Sequence, residues 1–185
     1  MNTIWVIRHG EKPDNANQGV NAAGASDEES LTPRGWQRAG ALALFFGSKG
    51  ILPAPDRIYA AAPGKEKVAP HEKVGSKSRR PLETVTPLAL KLQEAPIQKY
   101  TKGDETSLVK EIVALQGTTL VCWQHEAIPD IANLIVGSMS GIPDQWPGDR
   151  FDLVWRFTRA NSGKGWVFDQ VCQCLLAGDR NQPIG

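Results

Sequence analysis

Histidine and cysteine are scarce in this 185-residue sequence, with three of each, and long apolar runs are missing altogether. No stretch approaches the ~18 consecutive apolar residues of a membrane-spanning helix. The apolar run at the start, Ile4 to Ile7, is too short for a secretory leader and lacks a small-residue cleavage site. The cysteines Cys122, Cys172 and Cys174 are odd in number, and two lie one residue apart. That pattern fits reduced thiols better than a disulfide framework. These absences lead us to expect a soluble, intracellular, cytoplasmic protein. No pair of His or Cys has metal-ligand spacing, and there is neither a GxxxxGK[ST] loop nor a GxGxxG turn. No metal or organic cofactor is therefore expected. A net charge of +1 argues against a DNA-coating protein, and no nucleic-acid or membrane partner is expected.

What is present reads as one domain over 1–185, with strands alternating with helices. Thr3 to Ile7 is β-branched and aromatic, a buried first strand. A polar loop runs from Glu11 to Ser30. A helix then starts with Thr32 as N-cap and Pro33 in the first turn. Trp36, Ala39, Ala43 and Phe46 give it an apolar face, and it ends in the Gly47 to Gly50 region. Asp56 to Ala61 reads as a second strand, and Pro63 to Lys77 as a polar insertion. Pro81 to Leu92 is a helix in which Pro87 predicts a kink or break.

Further along, Pro96 to Tyr100 is a short strand candidate, and Asp104 to Leu115 a helix with Asp104 as N-cap. Thr118 to Trp123 is a strand and Ile128 to Val136 a helix. Phe151 to Thr158 and Gly165 to Val171 flank Asn161-Ser162-Gly163 as a hairpin. The expected fold is an α/β three-layer sandwich: a mostly parallel central sheet flanked by helices, closed by a C-terminal antiparallel hairpin. Ligands of such sheets bind at the carboxyl ends of the strands. His9 and His125 each lie two residues past a predicted strand, and those two strands can be neighbours in the sheet.

The segments carrying these residues resemble the histidine phosphatase superfamily, which includes the cofactor-dependent phosphoglycerate mutases. Arg8-His9-Gly10-Glu11 is similar to the superfamily's opening motif. Leu31-Thr32-Pro33-Arg34-Gly35 resembles its second helix-start motif. Ser78 to Thr84 resembles the segment carrying a second arginine, and Val121 to His125 the strand ending in a second histidine. The matches fall in the superfamily's order and span Thr3 to Val136.

The chemistry of the residues points the same way. A phosphomonoester is anionic, and its transfer needs cationic donors aimed at the nonbridging oxygens. Arg8 and Arg80 can supply planar forks that stay charged, and His125 a further donor. A neutral His9 can attack phosphorus through one ring nitrogen if a hydrogen bond fixes the other. The resemblance implies that His9 is the nucleophile and that its phosphohistidine is then hydrolysed by water.

A four-residue spacing to Thr84 favours Arg80. Arg79 stays as the alternative, because Ala60-Ala61-Ala62-Pro63 lacks the serines that usually precede this arginine. The leaving oxygen needs a proton, and both Glu105 and Glu126 are candidates for the acid. Glu126 follows His125 as the acidic residue does in the acid-phosphatase branch. Glu105 is preferred, because it can reach the leaving group from a neighbouring strand. Lys12 can touch phosphate. His71 reads as a solvated loop residue among Lys65, Lys67, Lys73 and Lys77, a basic rim that can attract anions.

A phosphatase acting on a phosphorylated small molecule or phosphoprotein is the expected function. The alternatives are a mutase-type phosphotransferase and a non-catalytic phospho-ligand-binding regulator. The stretch from Arg80 to His125 is too short for the insertion with which mutases enclose their substrate.

Overall fold

A computed structural model of the chain describes residues 2–47, 50–64, 76–137, 141–160 and 165–185. The hairpin turn at Asn161 to Gly163 lies outside the described residues. So does most of the insertion, with Lys65, Lys67, His71 and Lys73.

Five strands form one sheet: β1 (Thr3–Arg8), β2 (Arg57–Ala60), β3 (Thr118–Trp123), β4 (Leu153–Arg159) and β5 (Trp166–Cys172). Their order is β2-β3-β1-β4-β5. The β2-β3-β1 half is parallel, while β4 runs antiparallel to both β1 and β5. β1 and β3 lie side by side in register, with Ile7 opposite Cys122 and Arg8 opposite Trp123. The chain segments after them therefore emerge together.

Helices cover both faces, because successive residues of each central strand point to opposite sides. Trp5, Ile7, Ile58, Leu120 and Cys122 pack against α1 (Pro33–Phe45) and α2 (Arg80–Leu92). Ile4, Val6, Tyr59, Val121 and Trp123 pack against α3 (Glu105–Ile112) and α4 (Ile128–Val136). This is the expected three-layer sandwich. No helix among the described residues is long and apolar enough to cross a membrane.

Several local expectations are refined. α1 is capped as expected, its Gly35 N–H donating to Thr32 Oγ1 at 3.2 Å. Trp36, however, stands at the rim of the core, where its indole donates to the Val20 carbonyl at 2.8 Å. α2 runs unbroken through Pro87 and ends on Gln93 in the left-handed region, φ 58°.

Pro96 to Tyr100 is no strand. It meets the β2 edge only at single bridges, Tyr59 with Ile97 and Ala62 with Thr101, and Pro96 has no N–H to extend a ladder. Asp104 occupies the N-cap of α3 without capping it. Its carboxylate turns back to accept from the Thr101 amide and hydroxyl at 3.0 and 2.9 Å.

Candidate active site

The site forms where β1 and β3 end. As β1 leaves the sheet, the His9 amide donates to the Trp123 carbonyl at 3.1 Å, tying the two strand exits together. The next amide, of Gly10, donates to Thr84 Oγ1 at 2.8 Å, and that hydroxyl donates to the Arg80 carbonyl at 2.7 Å. Thr84 thus fixes the His9 turn to the first turn of α2, which carries Arg80. A side chain at position 10 is excluded by the backbone of Gly35: a Cβ there would lie 3.1 Å from the Gly35 carbonyl oxygen. The two glycine-containing motifs at 8–11 and 31–35 therefore meet backbone to backbone. Glycine at position 10 makes this close helix contact possible.

His9 is 4% exposed. Its Nδ1 lies 2.8 Å from the Gly10 carbonyl oxygen, an acceptor only, so Nδ1 carries the hydrogen and Nε2 keeps its lone pair. Burial is the main reason its pKa falls to about 3, with the charges of Arg8 and Arg80 adding to it. The imidazole is therefore neutral at any ordinary pH.

Arg8 is fully buried. Its Nη1 donates to the carbonyls of Pro147, Gly148 and Arg150 at 3.3, 2.8 and 3.1 Å, and its guanidinium carbon lies 3.7 Å from the centre of the Phe151 ring. Burial pulls its pKa down to about 10, which leaves it a cation at neutral pH. Nε and Nη2 have no hydrogen-bond partner among the described residues. The carbonyl cage is itself braced: the Trp146 indole donates to the Arg150 carbonyl at 2.8 Å, and Arg150 Nε to Asp152 at 2.7 Å. None of 146–152 was a candidate site residue in the sequence. The segment is irregular, and its contribution to Arg8 comes from backbone carbonyls that any residue possesses.

The adjacent arginines differ in their surroundings. Arg79 has a side chain 46% exposed and is paired with Asp27. Arg80 is 14% exposed, donates Nη1 to the Glu28 carbonyl at 2.7 Å and keeps a buried Nε without a partner. Burial lowers the Arg80 pKa. The acidic Asp27-Glu28-Glu29 run is thus a clamp that orients both arginines.

His125 opens a single turn of 3-10 helix, His125–Ala127, just past β3. Its Nδ1 lies 2.9 Å from Glu126 Oε2. His125 and the Lys102 ammonium hold the Glu126 carboxyl well below the usual carboxylate range. The Glu126 charge is felt at both Arg8 and Arg80. Glu105 is engaged elsewhere: its carboxylate accepts from the Trp123 indole at 2.9 Å and from the Gly103 amide at 3.0 Å.

Lys12 is exposed and lines a neighbouring cleft of about 470 Å³. That cleft shares Gly148 and Phe151 with the surroundings of Arg8. On its far side a second network escaped sequence reasoning. Arg38, buried on α1, binds Glu11 at 2.8 Å and Asp179 at 2.7 Å. It thereby fastens the loop after His9 to the C-terminal segment. Among the described residues no cluster of three His, Cys, Asp or Glu could hold a metal ion.

No protein-family model and no curated protein matches the sequence. Solved structures do match. The protein histidine phosphatase SixA, complexed with tungstate, superposes with a TM-score of 0.59 at 16% identity, covering 93% of this chain and 97% of that one. A phosphoserine phosphatase mutant from Entamoeba histolytica, in complex with phosphoserine, gives 0.54 at 14% identity, covering 91% and 95%. The likeness extends over nearly the whole of each chain and is one of fold: this chain shares the fold of those two phosphatases.

Proposed function

We propose that the chain is a phosphomonoester hydrolase that works through a phosphohistidine on His9, without a metal. One observation carries the reading. A buried, neutral imidazole has Nδ1 fixed by the Gly10 carbonyl, and it feels the charges of buried Arg8 and partly buried Arg80, each of which keeps a buried nitrogen without a partner among the described residues. A buried donor left without a partner costs roughly 1–3 kcal/mol, and one phosphoryl group relieves Arg8 and Arg80 together. The fold shared with phosphatases supports the same reading.

In the first step the Nε2 lone pair of His9 forms a bond to phosphorus, and the phosphorus–oxygen ester bond breaks. Arg8, Arg80 and His125 face the charge on the nonbridging oxygens. The leaving oxygen takes up a proton from solvent, because His125 and Lys102 keep the Glu126 carboxyl ionised. In the second step water attacks phosphorus, the phosphorus–nitrogen bond breaks, and inorganic phosphate leaves with neutral His9 restored. Glu126 is our choice for the proton carrier of this second step, since its charge is coupled to both arginines. As a carboxylate beside His125 it is already the base that accepts the water proton. The trapped position of Glu105 suits it to holding Trp123 and the start of α3. Substrates are phosphorylated small molecules or phosphoproteins, and Lys12 would meet the part of the substrate that extends into the neighbouring cleft.

The test is release of phosphate from an aryl phosphate in the presence of EDTA. Wild-type protein turns the substrate over and His9→Ala does not. Activity that disappears with chelator yet survives His9→Ala overturns the proposal.

A further inference from the structure

Beyond the residues that the phosphatase reading uses, one buried polar side chain is unaccounted for. Gln124 is 3% exposed, and neither its Nε2 nor its Oε1 has a hydrogen-bond partner among the described residues. Two buried indoles, of Trp5 and Trp155, also lack partners. Those rings sit inside the core layers against Phe46 and Trp146. Gln124 is different, because it lies at the exit of β3, between Trp123 and His125.

Its direction follows from the strand. Trp123 faces the α3 and α4 layer, while Cys122 faces the α1 and α2 layer. Gln124 keeps an extended backbone, φ −80° and ψ 134°. Alternation therefore turns its side chain to the Cys122 side. That side holds α2, whose first turn presents Arg80 and whose Thr84 grips the Gly10 amide. On β1 His9 follows Arg8 as Gln124 follows Trp123 on β3, so Gln124 lies beside His9, on which the charges of Arg8 and Arg80 both act. A long amide at this point has nothing among the described residues to satisfy it, and burying it so is unfavourable unless a ligand supplies both a donor and an acceptor.

We propose that Gln124 is a phosphate-binding residue of this site. Its Nε2 donates to a nonbridging oxygen of the phosphoryl group held by Arg8 and Arg80, and its Oε1 accepts from the hydroxyl of a singly protonated phosphoryl group. One ligand then satisfies both ends of the amide. The inference rests on the phosphatase reading for the identity of the pocket, but it concerns binding and can fail separately.

The experiment is calorimetric titration of inorganic phosphate into wild-type protein and Gln124→Leu, with thermal melts of both in the absence of phosphate. Gln124→Leu keeps the shape and removes the amide. Its affinity for phosphate should fall on the order of 10- to 100-fold, as for loss of a hydrogen bond to a charged group. Its unliganded melting temperature should equal or exceed that of wild type, because an unsatisfied buried amide has gone. Should Gln124→Leu not fold, Gln124→Met is the replacement, with the same expected loss. Wild-type phosphate affinity in the folded variant overturns the inference and leaves the phosphatase reading standing. A wild-type protein that binds no phosphate overturns both. Phosphate binding that depends on Gln124, in a protein that hydrolyses no ester, upholds the inference and overturns the phosphatase reading.

Discussion

Lowering the pH from 7 to 5 should destabilise this protein through His9 in particular. In the unfolded chain the imidazole titrates near its ordinary value of about 6.5; in the folded protein burial holds it at about 3. Between these values the unfolded chain binds a proton that the native state refuses, so stability falls as the pH falls. Above the unfolded value the two states are alike and His9 contributes no slope. At pH 5 the unfolded imidazole is almost wholly protonated and the native one almost wholly neutral, which costs about 2 kcal/mol relative to pH 7. His9→Asn removes the titration and keeps a side chain of similar reach. Urea unfolding of both proteins at both pH values gives four free energies, in which the other titrating groups cancel. Wild type should lose about 2 kcal/mol more than His9→Asn. Equal losses would mean that His9 takes up its proton in the native state, and the argument for a neutral nucleophile would fall.

The arginine register is tested by a pair of variants: Arg80→Ala should lower kcat/KM by about 100-fold or more, while Arg79→Ala, which loses a half-exposed ion pair with Asp27, should stay within a few-fold. Steady-state kinetics on one aryl phosphate reads both. Glu126→Gln should cut turnover by about 100-fold or more, whereas Glu105→Gln should chiefly lower the melting temperature by weakening its contacts to Trp123 and Gly103; the reverse pattern would move the proton carrier to Glu105. Thr84→Val orphans the Gly10 amide and should cost roughly 1–3 kcal/mol in urea unfolding, with Thr84→Ser recovering most of it.

The layers were legible because the strands at Thr3 to Ile7 and Thr118 to Trp123 are apolar on both faces, as a strand covered by helices on each side must be. That Arg8, His9 and His125 would lie near one another was legible for a related reason, since residues at strand ends are brought together once the strands are neighbours. The cage of Pro147, Gly148 and Arg150 carbonyls left no mark in the sequence, because main-chain acceptors carry no residue code. The surroundings of Glu105 differ from those the sequence suggested. The segment before it was read as a strand, whereas Pro96 limits it to isolated bridges, and the carboxylate folds back on Gly103 and Trp123. Arg38 is a case of charge at a helix position that periodicity marks as half buried. Only the arrival of Glu11 and Asp179 from distant segments makes it a core residue.

The central claim is that His9 becomes covalently phosphorylated and is the only residue that does so. Rapid mixing with an aryl phosphate, quenching in base to preserve the acid-labile phosphorus–nitrogen bond, and mass analysis of the digested protein measures it directly. The account predicts one phosphoryl group on the peptide containing His9, more abundant in Glu126→Gln and absent in His9→Ala. Phosphate on another residue, or hydrolysis that continues in His9→Ala, would contradict it.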